Sequence, residues 1–305
     1  MTTRAQWIEG ARPRTLPAAL APVLAGTGAA AGLGGFDAIA ALLCLVLALA
    51  LQVAVNYAND YSDGVRGTDD VRTGPTRLVA SGAATPAAVK RAALIAGGVG
   101  ALAGLALVVW TGHWWLLAVG AASLVAAWGY TGGARPYGYL GLGELFVFVF
   151  FGLVATAGTT FAQAGTVSVG TWCAAVAIGS LACAILMANN LRDIRTDPAA
   201  GKRTLAVRLG ERRARVAFAV MLAVPYVAAV VATLTSPADV PLQLAPLLAL
   251  ATLPIAIALA VVVLRGASGP DLIGVLKQTG MLELAVAFAL ALGLWWAGPI
   301  GPSLL

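Results

Sequence analysis

Residues 37–70 read DAIAALLCLVLALALQVAVNYANDYSDGVRGTDD and join a long apolar run to an acidic segment. The run over 37–58 is long enough to cross about 30 Å of hydrocarbon as a helix. The aspartates that follow it repel one another and resist leaving water. The stretch therefore predicts a transmembrane helix that ends in a site for a positively charged partner.

The rest of the 305-residue chain repeats the apolar pattern. Hydrophobic residues make up 60% of it and charged residues only 10%, whereas soluble proteins carry about 25% charged residues. We therefore expect an all-α, polytopic membrane protein that forms a single domain over residues 1–305. Hydropathy predicts nine spans, at about 16–34, 37–58, 92–111, 114–132, 142–163, 169–190, 215–235, 241–264 and 280–299.

The basic residues orient these spans. All 19 Lys and Arg residues fall before the first span or in alternate loops, which share one side of the membrane. Because short cytoplasmic loops are enriched in Lys and Arg, we expect the N-terminus and these loops in the cytoplasm. The net charge of +6 then belongs to the cytoplasmic face, where it favours anionic ligands and lipid headgroups. No feature indicates nucleic-acid binding or an obligatory protein partner.

Two acidic segments lie at cytoplasmic ends of spans, Asn56–Asp70 after the second and Asn189–Thr204 after the sixth. If each span continues as a helix, each segment presents a polar stripe on one helix face. The stripes consist of Asn56, Asp60 and Asp63, and of Asn189, Asp193 and Asp197. Two facing stripes would supply the oxygen ligands with which proteins bind Mg²⁺ beside substrate phosphates.

The segments that follow the two stripes are alike. GPTRLVASG occupies Gly74–Gly82, and GKRTLAVRLG occupies Gly201–Gly210. Each places basic residues after a glycine, and Arg77, Lys202 and Arg203 would contact phosphate oxygens. The pattern indicates a weak internal repeat and a phosphorylated ligand.

These motifs resemble those of the UbiA superfamily of intramembrane prenyltransferases. The first motif reads Asn59-Asp60-x-x-Asp63, with its last aspartate displaced to Asp69 after Gly67, and the second reads Asp193-x-x-x-Asp197. This variant of the motif, with its displaced aspartate, resembles the motif of the branch of the family that prenylates 1,4-dihydroxy-2-naphthoate in menaquinone synthesis. The segments Arg12–Thr27 and Tyr130–Gly152 resemble the same branch.

The resemblance implies a nine-helix bundle around a central cavity, with both motifs at its cytoplasmic mouth and two bound Mg²⁺ ions. The implied catalytic residues, which are also metal ligands, are Asp60, Asp63, Asp193 and Asp197. Asp69 and Asn189 are further metal ligands, directly or through water. The diphosphate-binding residues are Arg77, Lys202, Arg203 and Arg135. The acceptor-binding residues are Asn56, Asn59, Arg12, Arg14, Tyr137 and Tyr139.

The implied reaction transfers a polyprenyl group from an all-trans polyprenyl diphosphate to 1,4-dihydroxy-2-naphthoate. Diphosphate and CO₂ leave, and demethylmenaquinol forms. The implied location is the plasma membrane of a bacterium, with the active site open to the cytoplasm.

Two alternatives remain open at this point. The first is a prenyltransferase of the same superfamily with another acceptor, 4-hydroxybenzoate or haem, against which the Gly67-x-Asp69 variant argues. The second is an ion-coupled transporter. Transporter carboxylates usually lie near the bilayer midplane, whereas these cluster at one face of the membrane.

Overall fold

The computed structural model describes residues 2–67, 77–133, 136–236 and 243–298, and within these ranges it contains helices and no β-strand. The all-α prediction is therefore confirmed. The helices, numbered here in chain order, are α1 (Arg4–Gly10), α2 (Pro17–Gly32), α3 (Ala38–Val65), α4 (Pro86–Thr111), α5 (Leu116–Gly129), α6 (Gly143–Ala164), α7 (Val169–Arg192), α8 (Leu205–Leu209), α9 (Glu211–Thr235), α10 (Ala245–Leu264) and α11 (Asp271–Trp296).

Each of the nine predicted spans overlaps one of these helices. In the described ranges, seven helices are long and apolar enough to cross a membrane: α3, α4, α6, α7, α9, α10 and α11. The predicted first span corresponds to α2, which passes the same test only together with the segment before it. The predicted fourth span corresponds to α5, whose 14 residues reach about 21 Å. The nine-span count therefore stays a prediction.

The chain bends by 49° between Arg4–Thr15 and Pro17–Gly32. Pro13 and Pro17 explain where this bend occurs, because proline lacks the N–H that would continue a helix through them. Arg12 adopts a left-handed backbone conformation with φ 54° just before the bend, which few residues other than glycine adopt. The bend places Arg12 beside the cavity described below.

The helix α3 continues past the apolar span and ends at Val65, so Asn56, Asp60 and Asp63 lie on a helix as predicted. The corresponding expectation for the second motif is wrong. Helix α7 ends at Arg192, and Asp193 and Asp197 lie in the turns that follow it. Pro198 accounts for part of this, since a proline disfavours helical backbone at the residue before it.

Helix α7 lies at the centre of the fold, and small residues let its neighbours approach closely. It packs against α6, α9 and α11, and α2 packs against α11. Residues Phe148–Ala157 of α6 form a π-helix, a widened turn that is often found near functional sites. Gly152 of this segment faces Gly179 of α7, so the two backbones come into contact. Close packing through small residues is the usual way in which transmembrane helices associate.

We expect Gly152→Val to destabilise the α6–α7 crossing. A Cβ atom at Gly152 would lie 2.6 Å from Gly179 Cα and 2.8 Å from Ala175 O, and neither backbone atom can move aside. Such overpacking costs about 1–3 kcal/mol, which thermal unfolding in detergent should detect as a lower melting temperature. Gly158→Val is the matched control, because a Cβ there meets nothing within 4 Å. Equal melting temperatures for the two variants would contradict this packing.

Candidate active site

A cavity of about 600 Å³ lies between the helices. Residues of α2 to α7 supply most of its wall, and most of these are apolar. Representative apolar residues are Val23, Leu51, Leu105, Leu124, Phe150, Val154 and Leu186. Because this wall resembles lipid, it can surround a hydrocarbon chain and exclude water.

Most of the polar lining residues gather where α3 and α7 end. They include Arg12, Asn56, Asn59, Asp63, Arg77, Tyr130, Tyr139, Asn189, Asn190, Asp193, Asp197 and Lys202. Residues of both acidic segments therefore line one cavity, as the sequence predicted. Acidic and basic side chains alternate there, so the mouth suits a ligand that carries several negative charges together with a metal ion.

Asp63 is the most highly connected carboxylate of the first motif. Its Oδ2 lies 3.7 Å from Arg77 Nη2 and 3.2 Å from Lys202 Nζ. Tyr139 donates a hydrogen bond of 2.5 Å to its Oδ1. Asp63 is only 3% exposed, so these partners offset the cost of removing its charge from water. One carboxylate thus joins the first motif to the Gly-plus-basic segments of both halves.

Asp60 has a different environment from the one predicted. Its Oδ2 and Oδ1 accept hydrogen bonds from the backbone N–H groups of Leu78 and Val79, at 2.9 and 3.0 Å. Asn59, and not Asp60, lines the cavity. Successive helical residues rotate by about 100°, which puts Asn59 and Asp60 on opposite sides of the line through Asn56 and Asp63. In this structure Asp60 holds the turn that positions Arg77.

Arg192 engages the beginning of the second motif. It donates from Nε and Nη2 to the two carboxylate oxygens of Asp193, at 2.8 and 2.6 Å. Its Nη2 also donates to Asn189 Oδ1 at 2.9 Å. This guanidinium therefore contacts oxygen atoms of two side chains, Asp193 and Asn189, that the sequence assigns to a metal ion.

Asp197 lies one turn farther along the chain and also lines the cavity. Its backbone N–H donates to Asp193 O at 2.9 Å, and its own carbonyl accepts from the N–H of Lys202 at 2.9 Å. Thr204 Oγ1 lies 3.5 Å from its Oδ2. The turn thus keeps Asp193 and Asp197 at the same mouth although the helix has ended.

The two predicted acceptor tyrosines lie in different environments. Tyr139 belongs to the ionic end, where its ring centroid lies 4.9 Å from Lys202 Nζ and 5.4 Å from Arg66 Cζ. Tyr137 lies beside the apolar wall and stacks on Phe146 with 3.8 Å between ring centroids. Burial raises the pKa of the Tyr137 phenol, so it stays protonated and donates to Ala126 O at 2.7 Å.

Asn56 and Asn59 both line the cavity and are held by neighbouring backbone and hydroxyl groups. Asn56 Nδ2 donates to Ala11 O and to Thr15 Oγ1, each at 2.9 Å. Asn59 Oδ1 accepts from Thr131 Oγ1 at 2.6 Å. The Asn56 amide therefore has its N–H side occupied, and its oxygen is the atom that remains for a ligand.

The structure does not bring every predicted residue to the cavity. Arg14 and Arg203 are exposed and are not among its lining residues. Arg203 contributes through its backbone, whose N–H donates to Tyr139 O at 3.0 Å. Asp69 and Arg135 lie outside the described residues.

Sequence reasoning missed three polar residues at this site: Arg192, Asn190 and Tyr130. Arg192 immediately precedes Asp193, the first residue of the second aspartate motif, and Asn190 lies three positions before Asp193. An arginine beside a predicted metal ligand and a second asparagine beside Asn189 were the available signals. Tyr130 is the first residue of a segment already singled out for its resemblance, but its place beside the cavity depends on how α5 packs.

The donor atoms at the mouth suit Mg²⁺. They are carboxylate and amide oxygens, which this hard cation prefers, and it is usually held by one or two carboxylates plus phosphate oxygens. Within the described part of the chain, no three His, Cys, Asp or Glu side chains converge closely enough to hold an ion by themselves.

Comparison with known proteins identifies the family. Residues 19–272 match the UbiA prenyltransferase family. The chain is 52% identical over 297 residues to the 1,4-dihydroxy-2-naphthoate octaprenyltransferase of Mycobacterium tuberculosis, covering 96% of this chain and 99% of that one. It is 46% identical over 215 residues to the enzyme of the same name from Escherichia coli, covering 68% and 70% of the two chains.

The fold has a counterpart among solved structures. A UbiA homologue from Archaeoglobus fulgidus bound to GPP and Mg²⁺ matches with a TM-score of 0.65 at 15% identity, covering 94% of this chain and 98% of that one. Three observations agree on the family. They are the apolar helical bundle, the two aspartate motifs at one cavity, and the family match over most of the chain. The chain belongs to the UbiA prenyltransferase family.

Proposed function

We propose that this protein transfers a polyprenyl group from an all-trans polyprenyl diphosphate to 1,4-dihydroxy-2-naphthoate, releasing diphosphate and CO₂ and forming demethylmenaquinol. The observation that carries the proposal is the junction of an ionic mouth with an apolar cavity of about 600 Å³. The naphthoate relatives, which match nearly the whole chain in one case, support the choice of acceptor. Another aromatic acceptor, such as 4-hydroxybenzoate or haem, and an ion-coupled transporter are not favoured.

The diphosphate head would bind at the mouth. Asp63, Asp193, Asp197 and Asn189 would hold Mg²⁺, with Asp60 positioning the adjacent turn and Asp69 as a further ligand. The metal, as two ions, would neutralise the diphosphate and stabilise the charge that grows on it as the leaving group. A UbiA homologue from Archaeoglobus fulgidus was solved with GPP and Mg²⁺ bound, which supports a divalent metal as the cofactor.

The basic residues would change partners when the diphosphate binds. Lys202 and Arg77 contact Asp63, and Arg192 contacts Asp193. With a divalent metal bound to the carboxylates, the same side chains would be able to contact phosphate oxygens, where charge-assisted hydrogen bonds are strong. Arg135 would add to this set. The ion pairs thus hold these cationic side chains close to the positions from which they would bind phosphate.

The prenyl tail would lie along the apolar wall of the cavity. When the C–O bond breaks, its electron pair leaves with the diphosphate and the allylic carbon becomes cationic. Water would trap that cation, so an apolar surrounding protects the reaction. Phe146 and Phe150 line this cavity with 6.2 Å between their ring centroids, and an aromatic face would stabilise a positive charge placed over it.

The acceptor would enter beside the allylic carbon, contacted by Asn56, Asn59, Arg12 and Tyr137. Its ring carbon that bears the carboxylate donates electrons to the allylic carbon and forms the new C–C bond. The bond to the carboxylate then breaks, CO₂ leaves, and the electron pair of that bond restores the aromatic ring. Charge balances in these steps with diphosphate leaving as the tetra-anion, which takes up a proton from water after release at neutral pH.

The proposed location is a bacterial plasma membrane, with the whole chain acting as one nine-span domain that contacts lipid. The sequence places all 19 Lys and Arg residues before the first predicted span or in alternate loops, which include both acidic segments, so the positive-inside rule supports a cytoplasmic mouth and N-terminus. A polar substrate head and a soluble acceptor would then arrive from the cytoplasm.

A direct assay tests the proposal. Purified protein in detergent is mixed with Mg²⁺, a polyprenyl diphosphate and carboxyl-labelled 1,4-dihydroxy-2-naphthoate. We expect a prenylated naphthoquinol by mass spectrometry and one labelled CO₂ per product. Product with 4-hydroxybenzoate and none with the naphthoate would overturn the proposed acceptor. If no aromatic acceptor gives a product, the proposed prenyltransferase activity is wrong.

A further inference from the structure

One polar group lies deeper in the cavity than the ionic mouth. Asn190 lines the cavity and is 7% exposed. It lies on α7, three residues before Asp193 of the following turn, and three residues of helix rise by about 4.5 Å. If a diphosphate contacts Asp193, the first carbon of its prenyl chain and an acceptor ring would lie near the depth of Asn190.

A buried carboxyl group controls the Asn190 side chain. Asn190 Nδ2 donates to Glu144 Oε1 at 2.9 Å. Glu144 lies in the first turn of α6, is only 5% exposed and does not line the cavity. Its Oε2 has no hydrogen-bond partner among the described residues. Burying such a group is costly unless it has a role, and its contact with Asn190 is the interaction that suggests one.

The contact sets the orientation of the amide. Asn190 Nδ2 donates to Glu144 Oε1, so the N–H side of the amide faces Glu144. The carbonyl oxygen of Asn190 is then directed away from Glu144 and remains for a donor in the cavity. Without Glu144 the amide could rotate and present N–H groups instead.

The surroundings of Asn190 suit an aromatic ring that carries hydroxyl groups. Tyr130 lines the same cavity and packs edge-on against Tyr137, with 5.6 Å between ring centroids. A methyl group added at Gly143, the neighbour of Glu144, would lie 3.7 Å from the Tyr130 hydroxyl oxygen. Two aromatic side chains thus line the cavity that Asn190 lines, and one of them lies near the start of α6, where Glu144 holds the amide.

We propose that Glu144 is a positioning residue that orients Asn190, whose Oδ1 then accepts a hydrogen bond from a ring hydroxyl of the acceptor. The inference rests on the proposed function. The hydroxyl on the carbon next to the attacking carbon is the one that conjugates with it. When that hydroxyl donates to Asn190 Oδ1 it gains electron density, so the attacking carbon becomes more nucleophilic. The contact also favours acceptors with a hydroxyl at that position, because an acceptor without it leaves the buried amide oxygen unpaired.

Steady-state kinetics of Glu144→Leu and Glu144→Gln test the proposal, with the two substrates varied separately. Glu144→Leu should lower kcat/KM for the naphthoate about tenfold or more and leave KM for the prenyl diphosphate within about twofold. Glu144→Gln retains an acceptor oxygen for Asn190 and should stay within about threefold of the wild type. Asn190→Ala should show the same loss as Glu144→Leu, and the double variant should be no worse than Asn190→Ala alone.

Glu283→Leu is the matched control. Glu283 is fully buried in α11, does not line the cavity, and its two carboxyl oxygens have no partner among the described residues. Its replacement should leave both KM values unchanged. Equal losses for both substrates, or a Glu144→Gln variant as impaired as Glu144→Leu, would overturn the positioning role.

If Glu144→Leu does not fold, Glu144→Gln and Asn190→Ala still decide the question. Unchanged acceptor kinetics in Asn190→Ala would also overturn the proposal. An inactive wild type would instead refute the proposed function, so the two failures are distinguishable.

Discussion

Asp63→Asn is expected to slow prenyl transfer by about 10³-fold, the loss typical of removing one essential electrostatic group from an active site. The amide keeps the size of the side chain but removes the negative charge that Arg77, Lys202 and Tyr139 meet at 3.7, 3.2 and 2.5 Å. It would also remove a carboxylate ligand from the proposed Mg²⁺ site. Steady-state rates with saturating substrates measure the effect.

Asp37→Asn is the control for this variant. Asp37 caps the other end of α3, where its Oδ1 accepts from the N–H groups of Ile39 and Ala40 at 2.9 and 3.0 Å. Asparagine caps helices nearly as well as aspartate, so this variant should retain activity within about twofold to threefold. An Asp63→Asn enzyme with near-normal turnover would remove Asp63 from the catalytic site.

Removal of divalent metal should abolish turnover. In the described structure Asp63 is already paired with two basic side chains, and Asp193 with one. A prenyl diphosphate brings about three further negative charges, and in a partly buried site their repulsion by these carboxylates is strong. Added positive charge is therefore needed before the head can bind. Protein treated with EDTA should lose activity, and excess Mg²⁺ should restore it.

Thermal unfolding in the same buffers provides the control for the chelation experiment. The melting temperature should change little, because Arg77, Lys202 and Arg192 hold the carboxylates when metal is absent. Full activity after exhaustive chelation would contradict a metal-dependent mechanism. Loss of activity together with unfolding would show that the metal acts on the fold and not on the substrate.

The helices could be predicted from the sequence because a transmembrane segment needs only length and apolarity. The positions at which α3 and α7 end on the cytoplasmic side could not be predicted. In polar segments a helix end depends on capping and turn formation, which hydropathy does not describe. Helix α3 continues to Val65, whereas α7 ends at Arg192 before its motif is complete. Both ends still deliver aspartates to one mouth, so the prediction of a shared site was sound for reasons of residue type and topology.

The exact side-chain partners depended on small rotations that the sequence does not reveal. Asn59 and Asp60 are neighbours on α3, yet one lines the cavity and the other accepts two backbone N–H groups. Arg203 resembles Lys202 in sequence, but only Lys202 reaches the cavity. Glu144 could be read from the sequence as an acid close to a helix end, and only packing reveals its contact with Asn190.

The central claim is that both acidic segments bind one metal–diphosphate head. The most direct test is to measure binding of an uncleavable prenyl thiodiphosphate, by calorimetry, to the wild type, Asp63→Asn and Asp193→Asn, with Mg²⁺ and with EDTA. We expect saturable binding by the wild type with Mg²⁺, and a loss of affinity of at least about tenfold in both variants and in EDTA. Wild-type affinity in either variant, or undiminished binding in EDTA, would contradict a single site built from both segments.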